Sequence, residues 1–83
     1  MKIIQKWEKM KQKNPEMIFL FRVGDFYELF GNDAIIAAKN LNLTVTTRNE
    51  MPMVGFPHQA LEDYLRKLLT QNQRVAIIDE DSK

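Results

Sequence analysis

Several features are missing from this 83-residue chain, and each absence excludes a class of protein. It has no cysteine, which excludes a disulfide framework and thiolate metal sites and favours a cytoplasmic setting. No apolar run approaches the roughly 20 residues of a membrane span, and the charged start MKIIQKWEKMKQK is unlike a signal peptide, so we expect no membrane partner. Twelve basic against eleven acidic residues exclude a protein held to nucleic acid mainly by net charge.

Patterns typical of catalysis are also missing. The sequence contains no P-loop, no Gly-x-Gly-x-x-Gly, no nucleophile elbow and no His-Glu-x-x-His. The single histidine, His58, has no partner at metal-ligand spacing. We therefore expect no enzyme activity, no cofactor, no metal site and no small-molecule substrate.

What is present is the composition of one small globular domain, with 45% apolar and 28% charged residues, and we expect residues 1–83 to form a single domain. Apolar residues at helical spacing predict a first helix that Pro15 ends near Asn14. The run MIFLFRV, the pair Gly24-Asp25 and the run FYELF predict a β-hairpin.

The second half continues the alternation of helices and strands. Small apolar residues from Ala34 to Leu41 predict a short helix, and LTVTTR from Leu43 predicts a half-exposed strand. MPMVGFP forms a Pro- and Gly-punctuated segment, Pro57 opens another helix, and RVAII has the composition of a central strand. The order α-β-β-α-β-(β)-α-β predicts an α/β or α+β domain, with one mixed sheet and three helices packed on it.

The strand FYELF presents an ambiguity. Its alternation sends Phe26, Glu28 and Phe30 to one side and Tyr27 and Leu29 to the other, and one of these faces must be the core. If the core holds Tyr27 and Leu29, then Phe26 is exposed beside a carboxylate and indicates a contact surface. If it holds the two phenylalanines, Glu28 lies at the edge of the sheet. The local pattern leaves both interpretations open.

The segments FRVGDFYELF, TTR, PMVGFP and ALEDYL, in this order, resemble the N-terminal mismatch-recognition domain (domain I) of the MutS family of DNA mismatch-repair proteins. The resemblance spans nearly the whole chain. It implies a noncatalytic DNA-binding domain whose partner is duplex DNA with mispaired or unpaired bases, and a nucleoid-associated location in the cytoplasm. Other repair proteins are a further class of partner.

The resemblance also implies roles for individual residues. The family's Phe-x-Glu motif, which enters the minor groove at a mispair, maps onto Phe26 and Glu28. A phenylalanine ring can stack in a base step that is already cheap to unstack, and a carboxyl group can bond a base edge. The family's other DNA-proximal positions map onto five residues: Val23, Asp25, Arg48, Pro52 and Met53.

Departures from the family pattern favour an alternative function. Thr47 stands where a lysine is common, the loop after Arg48 is short and contains Glu50, and the chain ends in acidic residues. The connector, core, clamp and ATPase domains of the family are absent from this sequence, so we expect a stand-alone copy or a piece of a longer relative. We expect such a domain to bind DNA weakly in isolation; the alternative is a stand-alone protein-interaction module that keeps the fold and has lost autonomous DNA reading.

Two charged clusters allow further interpretations. Lys2, Lys6, Lys9 and Lys13 share one helix face, which is either a solvated side or a contact for phosphates. The terminal acids Asp79, Glu80 and Asp81 are typical of a solubilising tail. A metal-dependent nuclease built from them with Asp25 and Glu28 lacks a recognisable ligand spacing.

Overall fold

The computed structural model describes residues 2–79, which fold into one sheet with helices on both of its faces. The elements, in chain order, are α1 (Lys2–Lys13), β1 (Met17–Val23), β2 (Phe26–Phe30), α2 (Gly31–Leu41), β3 (Thr46–Arg48), β4 (Met51–Pro57), a 3₁₀ turn (His58–Ala60), α3 (Leu61–Thr70) and β5 (Arg74–Asp79). Three helices and a mixed sheet confirm the predicted α+β class. None of the helices in this range is long and apolar enough to cross a membrane.

The five strands lie in the order β3-β4-β2-β1-β5. Only the β1–β5 pair is parallel. The long connection from β1 to β5, which ends with α3, allows this direction. The other three pairs are antiparallel. β5 is therefore an edge strand, and the expectation of a central strand from RVAII was wrong. Its apolar residues reflect helices over both faces, since Val75 joins one core while Ala76 and Ile78 join the other.

The sheet has a hydrophobic core on each face. Helices α2 and α3 cover one face, which we call the α2/α3 face, and pack Ala34, Ala37 and Leu68 against it. Helix α1 covers part of the opposite face, the α1 face, with Ile4 and Trp7. The premise of a single core face was wrong, because both sides of β2 are partly covered.

A buried polar network fixes α1 to the rest of the domain. The carboxylate of Asp33, fully buried in the first turn of α2, accepts hydrogen bonds from the Trp7 indole (2.9 Å) and the Phe19 amide (3.2 Å). Its other oxygen forms a 2.7 Å ion pair with the Lys11 ammonium group. A Cβ at Gly31, where φ is +57°, would collide with the Trp7 ring, so only glycine allows this close packing.

Candidate nucleic-acid interface

The tip of the β1–β2 hairpin is a two-residue turn, Gly24-Asp25, held by contacts from outside the turn. Gly24 has a φ of +60° and Asp25 a negative one, the pattern of a type II′ turn with glycine at its first central position. The Arg22 Nε donates to the Gly24 carbonyl at 2.7 Å, and the His58 amide donates to the Asp25 carbonyl at 2.8 Å. These two hydrogen bonds fix the turn, and with it the backbone position of Phe26, the residue that follows the turn.

Phe26 is exposed although it begins a strand in the interior of the sheet. It lies on the α1 face, paired with Val23 on one side and Pro57 on the other. Phe30, on the same side of the strand, is fully buried in the core of the α1 face, whereas 46% of the surface of Phe26 is exposed. The first interpretation of FYELF is confirmed for Tyr27 and Leu29, which are core, and for Phe26, which is exposed; the second is right only for Phe30, which is also buried.

Glu28 lies between these two rings and is buried, with 7% of its surface exposed. It is on the third strand of five, so the expectation that it would lie at the sheet edge was wrong. Its Oε1 accepts a 2.9 Å ion-pair hydrogen bond from Nη1 of Arg48, which ends β3 two strands away. Burial raises the pKa of the Glu28 carboxyl, and the Arg48 guanidinium opposes this by lowering it.

A glycine lies opposite Glu28 on the neighbouring strand. Gly55 of β4 pairs directly with Glu28, and a Cβ built on Gly55 would lie 3.7 Å from the Glu28 Cγ and 3.9 Å from the Met53 sulfur. These are ordinary van der Waals distances, as is the 3.4 Å to the Tyr27 carbonyl oxygen, so a small side chain would also fit at Gly55.

The comparisons with known proteins agree with one another. The family model described as MutS domain I matches residues 1–83. The chain belongs to the MutS domain I family. Proteins named DNA mismatch repair protein MutS are 48% identical to it in Christiangramia forsetii and 46% identical in Porphyromonas gingivalis, each over 94% of this chain. The Bacteroides fragilis relative is 49% identical over 86% of the chain. This MutS domain I spans only 9% of the length of each of these relatives.

The structure of this MutS domain I brings most of the predicted contact residues to one surface. Five of them lie on the α1 face: Val23, Phe26, Glu28, Arg48 and Met53. Pro52 lies one position before Met53 and pairs with Thr47, so strand alternation sends both to the α2/α3 face. Asp25 is exposed at the hairpin turn beside this surface.

The loop after Arg48 and the acidic residues have simple structural descriptions. Asn49 and Glu50 both have positive φ, 51° and 64°, and form a tight two-residue turn of the type I′ pattern. Residues 2–79 contain no cluster of three potential metal-ligating side chains. Asp79 faces the Tyr27 hydroxyl at 3.5 Å, on the face opposite Glu28. Glu80 and Asp81 lie outside the described residues.

Proposed function

We propose that this chain is a noncatalytic DNA-binding domain that recognises mispaired or unpaired bases in duplex DNA, with Phe26 as the inserted ring. One observation carries the proposal. In a member of the MutS domain I family, an exposed phenylalanine follows an anchored hairpin turn and lies two residues from a buried carboxyl of raised pKa. With 46% of its surface exposed beside this carboxyl, the ring is available for contact with a partner.

The chemistry of an aromatic ring suits a sensor of many kinds of mispair. Insertion of a ring unstacks a base step at a cost of a few kcal/mol, and that cost is lowest where base pairing is already defective. Stacking of a base on the ring returns roughly 1–3 kcal/mol and is tolerant of base identity. Discrimination thus comes from DNA that is cheap to deform, and it needs no code of hydrogen bonds.

Glu28 supplies orientation at the base edge. As a carboxylate it accepts a hydrogen bond from a base N–H, and as a carboxylic acid it donates to an unprotonated ring nitrogen. Its raised pKa brings the second form closer to neutral pH. The 2.9 Å bond to Arg48 holds the carboxyl in place before DNA arrives and must be loosened for the carboxyl to turn toward a base. Arg48, once released, is then available to a phosphate.

The neighbouring residues complete the proposed surface. Val23 and Met53 flank Phe26 and Glu28 as apolar contacts for displaced bases, and the turn residue Asp25 lies at its margin. Pro52 belongs to the same strand as Met53 but lies on the opposite face of the sheet. The domain would work at the nucleoid alongside other repair proteins. Because Arg48 is committed to Glu28 in the free chain, we expect the surface around Phe26 by itself to bind weakly and with a shallow dependence on salt.

Fluorescence anisotropy tests the proposal directly. A short labelled duplex with one unpaired base is compared with its matched twin at low salt, using wild type, Phe26→Ala and the control Ile35→Ala. Ile35 is exposed to nearly the same degree, 47% against 46%, but lies on α2. Loss of one stacked base corresponds to a preference reduced by about 5- to 150-fold, or abolished where the preference is smaller. An equal affinity of wild type for both duplexes would refute the proposal.

A second candidate function is a protein-interaction module that uses the same surface. The observation that favours it is the scarcity of positive charge available to DNA around Phe26. Arg48 is paired with Glu28, and Thr47 is uncharged and faces the other side of the sheet. The two candidates differ in the effect of Phe26→Ala. If this change abolishes capture of a protein partner while DNA retention is unchanged, the ring serves a protein interface.

A further inference from the structure

Helix α1 concentrates the positive charge of the chain. It contains five lysines and one glutamate, whereas residues 14–83 contain seven basic and ten acidic residues. Four of these lysines are exposed, and we call them the lysine stripe: Lys2, Lys6, Lys9 and Lys13. The net charge of +1 is therefore the sum of a basic helix α1 and an acidic remainder of the chain.

The lysine stripe is regular and follows the length of the helix. At about 100° of rotation per residue its four members fall within a sector of roughly 60°, and they span about 16 Å along the axis. Duplex DNA carries about one phosphate charge per 1.7 Å of its axis, so a stripe of this length lies alongside several phosphates. The fifth lysine, Lys11, points elsewhere and is held by Asp33.

The position of α1 relates the stripe to the proposed interface. α1 packs through Ile4 and Trp7 on the same face of the sheet that carries Phe26 and Glu28. The stripe lies roughly 160° around the helix from this buried side, and so it faces solvent, away from the sheet. Near Phe26 itself, Arg48 bonds Glu28 and Arg22 bonds the Gly24 carbonyl.

We propose that the lysine stripe is a second DNA-contacting surface, which takes the phosphate backbone of the duplex beside the step that Phe26 enters. This inference takes its ligand, duplex DNA, from the proposed function and rests on it, but it assigns the lysine stripe a task different from that of Phe26 and Glu28. Phe26 and Glu28 supply preference for the defect, and the stripe supplies affinity that is equal for matched and defective duplexes. It is also the part of the domain that makes binding depend on salt.

The experiment measures the affinity of the 83-residue chain for both duplexes across a range of salt concentrations. The test variant combines Lys2→Gln, Lys9→Gln and Lys13→Gln, leaving Lys6 in place. The control combines Lys39→Gln, Arg66→Gln and Lys67→Gln, three exposed cations on α2 and α3 that give the same change in net charge. Glutamine has nearly the helix propensity of lysine, and circular dichroism checks that both variants fold.

We expect the slope of log affinity against log salt to become shallower by about 0.9 for each lysine in contact, up to about 2.7 in the test variant. Both duplexes should lose affinity by the same factor, and the control should keep the wild-type slope. An unchanged slope in the test variant, an equal change in the control, or no binding of the matched duplex by wild type at low salt would overturn the inference. Binding of wild type to anionic vesicles with an unchanged DNA slope would assign the stripe to a membrane surface.

These outcomes are separable from failure of the proposed function. If the stripe contacts DNA but Phe26 does not read defects, the slope changes in the test variant while wild type binds both duplexes equally. If Phe26 reads defects without help from the stripe, the preference persists and the slope does not move. Phe26→Ala with an intact stripe should lower the affinity for the defective duplex to that for the matched one and keep the wild-type salt slope.

Discussion

Replacing Asp33 by alanine should destabilise this domain more than any exposed charge change. The substitution removes both bonded oxygens of a fully buried carboxylate, so the Trp7 indole and the Phe19 amide lose their acceptor. Each orphaned buried donor costs about 1–3 kcal/mol. Removing one partner of a buried ion pair costs about 3–5 kcal/mol in total. We expect a loss in this range, against a total stability of roughly 4–12 kcal/mol for a domain of this size.

Urea denaturation followed by circular dichroism and by the fluorescence of Trp7, the single tryptophan, measures the loss. Asp63→Ala is the matched control, because Asp63 is also an aspartate in the first turn of a helix with a basic partner, Arg66 at 3.4 Å. That pair is exposed, and its loss should cost under about 1 kcal/mol. If the two variants differ from each other by less than 1 kcal/mol, the role assigned to Asp33 is refuted. Asp33→Asn, which keeps one acceptor, should fall between them.

Three further predictions concern the glycines and the Glu28–Arg48 pair. Gly31→Ala should cost about 1–3 kcal/mol more than Gly24→Ala in the same urea assay, since both have positive φ but only the first meets the Trp7 ring; equal losses would exclude the collision. Glu28→Gln should be more stable than wild type at pH 7 and lose this advantage in acid. Because burial raises the folded pKa of Glu28, the stabilisation that Glu28 gives the wild-type fold is complete below the ordinary pKa of 4.5 and is lost as the pH rises through the folded pKa. If the free energies of unfolding of wild type and Glu28→Gln change in parallel with pH, this reasoning is contradicted. Arg48→Met should raise the pKa of Glu28 further, because it removes the lowering influence; an NMR titration of the Glu28 carboxyl carbon that shows no rise would count against the pair.

The order of elements was predictable because local signals agree with the tertiary structure through most of the chain. Pro15 follows α1, Gly24-Asp25 forms the turn between β1 and β2, and Asn42 and Asn72 adopt the left-handed conformation that ends a helix. Small residues on α2 pack closely against the sheet, as their spacing indicates. These features depend on residues near one another in sequence, which a single chain reveals.

Features that depend on distant partners were not predictable in this way. MPMVGFP reads as a broken segment by propensity, yet it is a full strand because β3 and β2 pair with it on either side. Asp33 gave no sign of burial, since its partners Trp7 and Lys11 lie 26 and 22 residues away. The predicted contact residues came from the family resemblance. Alternation alone could not tell a ring exposed on a partly covered face from one buried in a core.

The two buried carboxyl groups differ in how far their burial is compensated by bonding partners. Asp33 has two buried hydrogen-bond donors and a cation around it, so its burial is fully compensated. Glu28 has one bond in the structure, to a guanidinium whose side chain is 36% exposed, and its pKa is raised because burial outweighs that partner. By the same reasoning, we expect Glu28→Gln to fold at lower cost near neutral pH. A buried carboxyl of raised pKa that lies beside an exposed aromatic ring is therefore a candidate for contact with a ligand.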